Sequence, residues 1–246
     1  MKGTHLIIGD VHGTYAPFAK AVKFAKDNGL HLVSTGDLID NGLDPYAVIE
    51  LMTQEVFEGR ASGVMGNHEW KIHRWAKGND VKLTPPNKPT VDAMNVIPGF
   101  KDMFMRYTSS IPFNIQLNPN LFVAHAAIKP AWWLDKTDTK RTNEYNMYGN
   151  SDASTMIDYR GERYPIRLYD WVEAVPRGVK LFVGHDPRPL IGVPDFDNFQ
   201  PAPLVHMNKQ SGVTIFLDTG SGKGGKLWGA VVNSDNNDIV SMHNFG

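Results

Sequence analysis

Five short apolar runs in this sequence each stop at a side chain able to bind a metal ion. They are Leu6-Ile7-Ile8-Gly9-Asp10-Val11-His12, Leu32-Val33-Ser34-Thr35-Gly36-Asp37, Val64-Met65-Gly66-Asn67-His68, Leu121-Phe122-Val123-Ala124-His125 and Leu181-Phe182-Val183-Gly184-His185. One such ending is an ordinary turn after a strand. Five of them, four with a glycine before the polar residue, point to strands that deliver their last residues to one place. Glycine lets the backbone leave a sheet sharply and approach a bound ion closely. In open α/β sheets, ligands bind outside the carboxyl ends of the strands.

The segments between the runs fit that reading. His5–Ile8 reads as a buried strand. Ala16–Lys26 reads as a helix, since Phe18, Ala21, Val22 and Ala25 keep helical spacing. Gly29 sits where a helix C-cap is wanted. Leu32–Thr35 is the next strand, Pro45–Met52 the next helix and Gly63–Met65 the third strand, before a helix carrying Trp70, Ile72 and Trp75. Strands and helices in this alternation predict βαβ units and a sheet at least partly parallel.

Further along, Lys82–Pro98 is rich in Pro, Asn and Thr and predicts a loop leading into a helix over Gly99–Thr108. Asn114–Leu117 and Leu121–Ala124 predict strands around the turn Asn118-Pro119-Asn120. The polar stretch Lys136–Arg163 predicts a long excursion or lid over the site. A helix over Arg167–Val175, a strand Lys180–Val183 and strands Val213–Leu217, Leu227–Val232 and Asp238–Met242 complete the reading. A chain of 246 residues suits one α/β domain, here 1–246.

Twenty-five basic against twenty-six acidic residues leave a formal charge of −1, so no global basic field attracts nucleic acid. The chain has no cysteine. Asp, Asn and His must therefore hold any metal, a set suited to manganese, iron or zinc. Met1–Ile8 is too short for a signal peptide, and no segment approaches the roughly 20 apolar residues of a membrane span. The expectation is a soluble cytoplasmic protein with no membrane partner and no strong nucleic-acid-binding signature.

Gly9-Asp10-Val11-His12-Gly13, Gly36-Asp37-Leu38-Ile39-Asp40-Asn41-Gly42, Gly66-Asn67-His68-Glu69, His125-Ala126 and Gly184-His185-Asp186 closely resemble the ordered motifs of the calcineurin-like metallophosphoesterases. The set looks most like the phosphoprotein-phosphatase branch, including small bacterial and phage serine/threonine phosphatases. It is also similar to the phosphatase module of bacterial polynucleotide kinase–phosphatases. The resemblance runs from Gly9 to Leu217-Asp218-Thr219-Gly220 and implies an α/β sandwich of two packed mixed β-sheets flanked by helices.

It also implies two divalent metal ions, manganese first and iron, zinc or nickel as alternatives. Asp10 and His12 would hold the first ion, Asn67, His125 and His185 the second, and Asp37 would bridge both. A metal-bridging hydroxide would then attack phosphorus. His68 would be the general acid with Asp40 hydrogen-bonded to it, a pairing that keeps a proton on the imidazole near neutral pH. Asp218 resembles an Asp of related phosphatases that bonds a metal-binding His, although a plain strand-end turn explains it equally well. His5, His31, His73, His206 and His243 match no motif and are read as surface or core histidines.

One position departs from the pattern. The motif calls for Arg after Asp40, and this chain has Asn41, which offers a neutral hydrogen bond in place of a charged fork. Arg167, in an Arg-X-X-X-Trp element with Trp171, is the best partner for the substrate phosphate beside Asn41. Arg160, Arg163 and Arg188 are weaker candidates.

The favoured substrate is a phosphate monoester on phosphoserine or phosphothreonine protein. The alternatives are diadenosine-type nucleotides, 2′ or 3′ RNA phosphates, and a phosphate-binding module without catalysis. Trp132 and Trp133 could stack a base, but paired tryptophans are more often packing. Gly220-Ser221-Gly222-Lys223-Gly224-Gly225-Lys226 nearly spells a phosphate-binding loop, yet Leu227 stands where Ser or Thr is required. It is read as a Gly-rich turn between two strands.

Overall fold

Along β1 (Thr4–Ile8) the side chains divide by parity: Leu6 and Ile8 enter one apolar cluster and Ile7 another. A strand covered on both faces needs apolar residues at successive positions, which is why this run shows no polar alternation. The structure, a computed structural model, describes residues 3–136, 139–159, 162–187 and 200–246.

From β1 the chain passes through α1 (Tyr15–Asp27) to β2 (His31–Ser34), then through α2 (Pro45–Phe57) to β3 (Ala61–Gly63). Three further helices follow: α3 (Asn67–Ala76), α4 (Lys88–Val96) and α5 (Phe100–Ser110). β4 (Asn114–Asn118) and β5 (Leu121–Ala124) form a hairpin. The excursion holds α6 (Thr139–Tyr148) and the ribbon of β6 (Asn150–Tyr159) with β7 (Glu162–Leu168). β8 (Lys180–Val183), β9 (Leu204–Met207), β10 (Val213–Phe216), β11 (Trp228–Asn233) and β12 (Asp238–Asn244) complete the fold.

Two five-stranded mixed sheets result, with strand orders β12-β11-β1-β2-β3 and β4-β5-β8-β10-β9. The pairs β1–β2, β2–β3, β5–β8 and β8–β10 are parallel, so their carboxyl ends lie at common edges. Ile7, Val33, Val123, Phe182, Ile215 and Val232 form the layer between the sheets. Phe18, Val22, Ile49, Met52, Ile72 and Phe104 join the helices to the first sheet. Phe122, Leu181, Val183 and Phe216 on the outer face of the second sheet pack with Trp171, Trp132 and Trp133. The paired tryptophans lie edge-on to Phe122, with ring centroids at 5.9 and 5.1 Å, and so serve packing. Among the described residues, no helix is long and apolar enough to cross a membrane.

Several predicted elements shift. α4 occupies part of the predicted loop 82–98: Pro89 falls in its first turn, where a missing N–H costs no helical hydrogen bond. The side chain of Asn87 accepts the Thr84 amide hydrogen at 2.9 Å just ahead of it. Arg167 lies on β7 opposite Ser151, not on a helix, and the helical turn after it is a 3-10 segment, Asp170–Ala174. β3 begins two residues earlier than predicted, and the edge strand β9 was not anticipated.

Candidate metal centre

The carboxyl ends of the parallel strands bring the predicted side chains together. Asp10 follows β1, Asp37 follows β2, His125 follows β5 and His185 follows β8, while Asn67 opens α3. The potential ligand atoms of His12, Asp37 and His68 lie within 4.8 Å of one another, and so do those of Asp37, His125 and His185. Asp37 is common to both groups. Its Oδ2 stands 3.9 Å from His12 Nε2, 3.8 Å from His68 Nε2 and 3.4 Å from His125 Nε2.

The donor chemistry shows that these residues fit cations. The Thr35 carbonyl can only accept, so His125 donates to it through Nδ1 at 2.9 Å and keeps a lone pair on Nε2. That nitrogen faces the Asn67 carbonyl oxygen at 2.8 Å and the Asp37 carboxylate. The Asn67 oxygen in turn lies 2.9 Å from His185 Nδ1. In the same way His12 donates to the Ile39 carbonyl from Nδ1 at 3.1 Å. Its Nε2 is buried with no hydrogen-bond partner among the described residues, 3.7 Å from Asp10 Oδ2. Lone pairs converging on lone pairs on both sides of one carboxylate suit two cations.

The electrostatics agree. Burial, then the Lys223 charge and His68, holds His12 well below the usual imidazole range. Burial, then Arg167 and His125, does the same to His185. Both are therefore neutral near neutral pH, as ligation requires. Burial works against the Asp37 carboxylate, but His125 and His68 outweigh it and keep its pKa well below the ordinary value. Asp10 is raised well above the ordinary value by burial and by repulsion from Asp218 and Asp37, a strain that cations would relieve.

His68 Nδ1 lies 2.7 Å from Asp40 Oδ2. Burial pulls the His68 pKa down, yet the Asp37 and Asp40 carboxylates prevail and it stands above the ordinary value. Asp40 is itself pinned, accepting from Thr90 Oγ1 at 2.6 Å and from Asn87 Nδ2 at 2.5 Å. Neither residue was identified from the sequence, because both lie in the segment read as a loop. Glu69 closes the motif Gly66-Asn67-His68-Glu69, and the sequence predicts no role for it. Its buried carboxylate accepts the amide hydrogens of Asp37, Leu38 and Ile39, while burial and the Asp37 charge raise its pKa to about 7.

The glycines make room for side chains. A Cβ on Gly184 would meet Asp10 Oδ1 at 2.0 Å, and one on Gly66 would meet Asp37 Oδ1 at 2.2 Å and Glu69 Oε2 at 2.4 Å. Five predicted site residues, His12, Asp37, Asp40, Asn41 and His185, have positive φ, between +47° and +70°. Left-handed backbone away from glycine is uncommon and clusters at functional sites.

The Asn41 amide group lies 3.1 Å from His12 Nδ1. Arg167 pairs with Asp186 at 3.0 Å, and Tyr169 also donates to Asp186. Arg167, Tyr148, Asn150, Tyr169 and His185 line a small open cleft to which the excursion contributes. Arg163 is exposed on β7, while Arg160 and Arg188 lie outside the described residues. Asp218 accepts the Gly220 amide hydrogen at 2.9 Å, and its Oδ2 is buried without a hydrogen-bond partner among the described residues.

A curated relative from Geobacillus sp. (strain WCH70), named bis(5′-nucleosyl)-tetraphosphatase PrpE [asymmetrical], is 29% identical over 197 residues, 74% of this chain and 78% of its own. A solved structure provisionally assigned as a diadenosine tetraphosphatase superposes with a TM-score of 0.61 at 20% identity, covering 99% of this chain and 94% of that one. A Saccharomyces cerevisiae protein serine/threonine phosphatase superposes with a TM-score of 0.57 at 15% identity, over 98% and 79%. These two superpositions bear on the fold. The sequence profile of the calcineurin-like phosphoesterases matches residues 4–214, a span that takes in every polar strand ending gathered around Asp37. The chain is thus a phosphate-ester hydrolase belonging to the calcineurin-like phosphoesterase family.

Proposed function

We propose that this phosphoesterase cleaves nucleoside polyphosphates of the dinucleoside tetraphosphate class with two manganese ions. The observation that carries the reading is the alignment of a bis(5′-nucleosyl)-tetraphosphatase over 74% of the chain. Likeness to a protein serine/threonine phosphatase is one of fold at 15% identity, so the phosphoprotein reading of the motifs takes second place.

In this reading Asp10, His12 and Asp37 would hold one ion, and Asp37, Asn67, His125 and His185 would hold the other. Two such ions supply an acidified water and neutralise phosphoryl charge. The protein's own part is to place groups around the phosphate. Asp40 fixes His68 so that Nε2 presents a proton to the departing phosphate oxygen. Arg167, held by Asp186, presents its guanidinium to phosphoryl oxygens from the cleft beside His185. The nitrogen and oxygen donors, with no thiolate, suit manganese.

The test is a manganese-dependent assay of diadenosine tetraphosphate against a phosphoserine peptide, with products resolved by anion-exchange chromatography. Nucleotide products at a higher kcat/KM than peptide dephosphorylation are expected. Preferential release of phosphate from the peptide would replace this reading with the phosphoprotein one.

A further inference from the structure

The Gly-rich turn between β10 and β11 closes over the His12 side of the metal centre. Ser221 Oγ donates to the Val11 carbonyl at 3.1 Å and lies 2.8 Å from Thr14 Oγ1. A Cβ on Gly222 would come within 2.6 Å of His12 Cβ and of the His12 carbonyl oxygen. The amides of Lys223 and Gly225 both donate to the Gly220 carbonyl at 2.9 Å. The backbone that carries Lys223 is therefore fixed against a predicted ligand.

The Lys223 side chain is half-buried, and its ammonium has no hydrogen-bond or ion-pair partner among the described residues. Its charge nevertheless reaches Asp10, His12, His68, His185 and Asp218. The other candidates for phosphate recognition are placed differently. Arg167 is paired with Asp186, and neutral Asn41 lies against His12. A cation on a loop packed against His12, unpaired among the described residues, can attract the substrate's own charge, and a lysine ammonium with three rotatable donors suits phosphoryl oxygens.

We propose that Lys223 binds the phosphate chain next to the scissile phosphorus and favours substrates with several phosphates over simple monoesters. This rests on the nucleoside polyphosphate reading. It gives the near-miss phosphate loop a role as a single charged contact instead of a nucleotide cradle.

The experiment measures binding of tripolyphosphate and of orthophosphate to the manganese-loaded protein by calorimetry, alongside turnover of diadenosine tetraphosphate and p-nitrophenyl phosphate. Lys223→Met should weaken tripolyphosphate binding roughly ten-fold, the scale of a lost charge-assisted contact, and orthophosphate binding much less. Lys223→Arg should restore most of the affinity, and Lys226→Met, on an exposed side chain of the same turn, should change neither. Unaltered tripolyphosphate binding in Lys223→Met overturns the assignment, as does equal weakening by Lys226→Met or equal weakening of both anions. If the wild type leaves diadenosine tetraphosphate intact while tripolyphosphate binding still depends on Lys223, the substrate reading falls and the lysine contact stands. If diadenosine tetraphosphate is cleaved while tripolyphosphate binding ignores Lys223, the lysine contact falls and the substrate reading stands.

Discussion

The Glu69 carboxylate folds back onto the turn that carries Asp37, accepting its amide hydrogen at 2.8 Å and those of Leu38 and Ile39 at 2.7 and 3.3 Å. One side chain at the start of α3 thereby ties down the segment whose carboxylate faces both histidine groups. Glu69→Ala should destabilise the metal-free protein by at least about 1–3 kcal/mol, the cost of leaving a buried N–H unpaired. Metal affinity should fall roughly 10–100-fold, as for other supports of ligands. Denaturant unfolding and metal titration of the two proteins test this, and an unchanged midpoint would show that the turn holds its shape without Glu69.

Asp37 is the carboxylate common to both groups, so its charge should matter more than that of any other ligand. Asp37→Asn keeps a residue that tolerates left-handed backbone and removes the charge. The variant should retain less than its full metal complement in elemental analysis and lose more than about 10²-fold in kcat/KM, beyond the loss typical of ligand supports. Full metal content with near-normal turnover would contradict the shared-ligand geometry.

As the proposed general acid, His68 would work only while protonated, so activity should fall as pH rises through its pKa. Asp40 is one of the two carboxylates holding that pKa above the ordinary value. Asp40→Asn should therefore move the basic limb of the pH–rate profile to lower pH. His68→Asn should slow an alkyl phosphate by roughly 10²–10⁴-fold and p-nitrophenyl phosphate far less, because only the alkyl oxygen needs a proton to leave. Equal losses on both substrates would point to a ligand role, which the 3.8 Å separation from Asp37 makes a real competitor.

His5 lies far from this chemistry, buried on β1 with Ser234 Oγ at 3.3 Å. Burial and the neighbouring His31 lower its pKa from 6.5 to about 4. Between those values the unfolded chain binds the proton that the folded one refuses, so stability falls as pH drops from 6.5 towards 4. Removing the titration with His5→Val should flatten this acid limb by up to roughly 3 kcal/mol, which chemical denaturation across the window would measure. Parallel slopes for both proteins would assign the acid sensitivity elsewhere.

The sheet strands and their polar endings were readable because each is local: an apolar run stops and a polar residue follows. The reading failed where distant parts of the chain decide. α4 looked like a loop because proline signals a break, and nothing local told that Pro89 occupies a first helical turn. With that helix the sequence also hid Thr90 and, just before it, Asn87, which brace Asp40 across 50 and 47 positions of chain. Arg167 could be chosen as a cation near the site, but its place on a strand depends on pairing with β6.

The left-handed backbone at His12, Asp37, Asp40, Asn41 and His185 restricts which letters these positions can hold. Asp, Asn and His are the non-glycine residues most at ease there, and they are also the nitrogen and oxygen donors a metal wants. One residue choice answers a conformational demand and a chemical one together. Alanine at any of them would remove a donor and also force a left-handed alanine, at about 1–2 kcal/mol. An alanine scan would therefore report two losses as one number, whereas glycine, which relieves the backbone while deleting the donor, would separate the shape of the site from its chemistry.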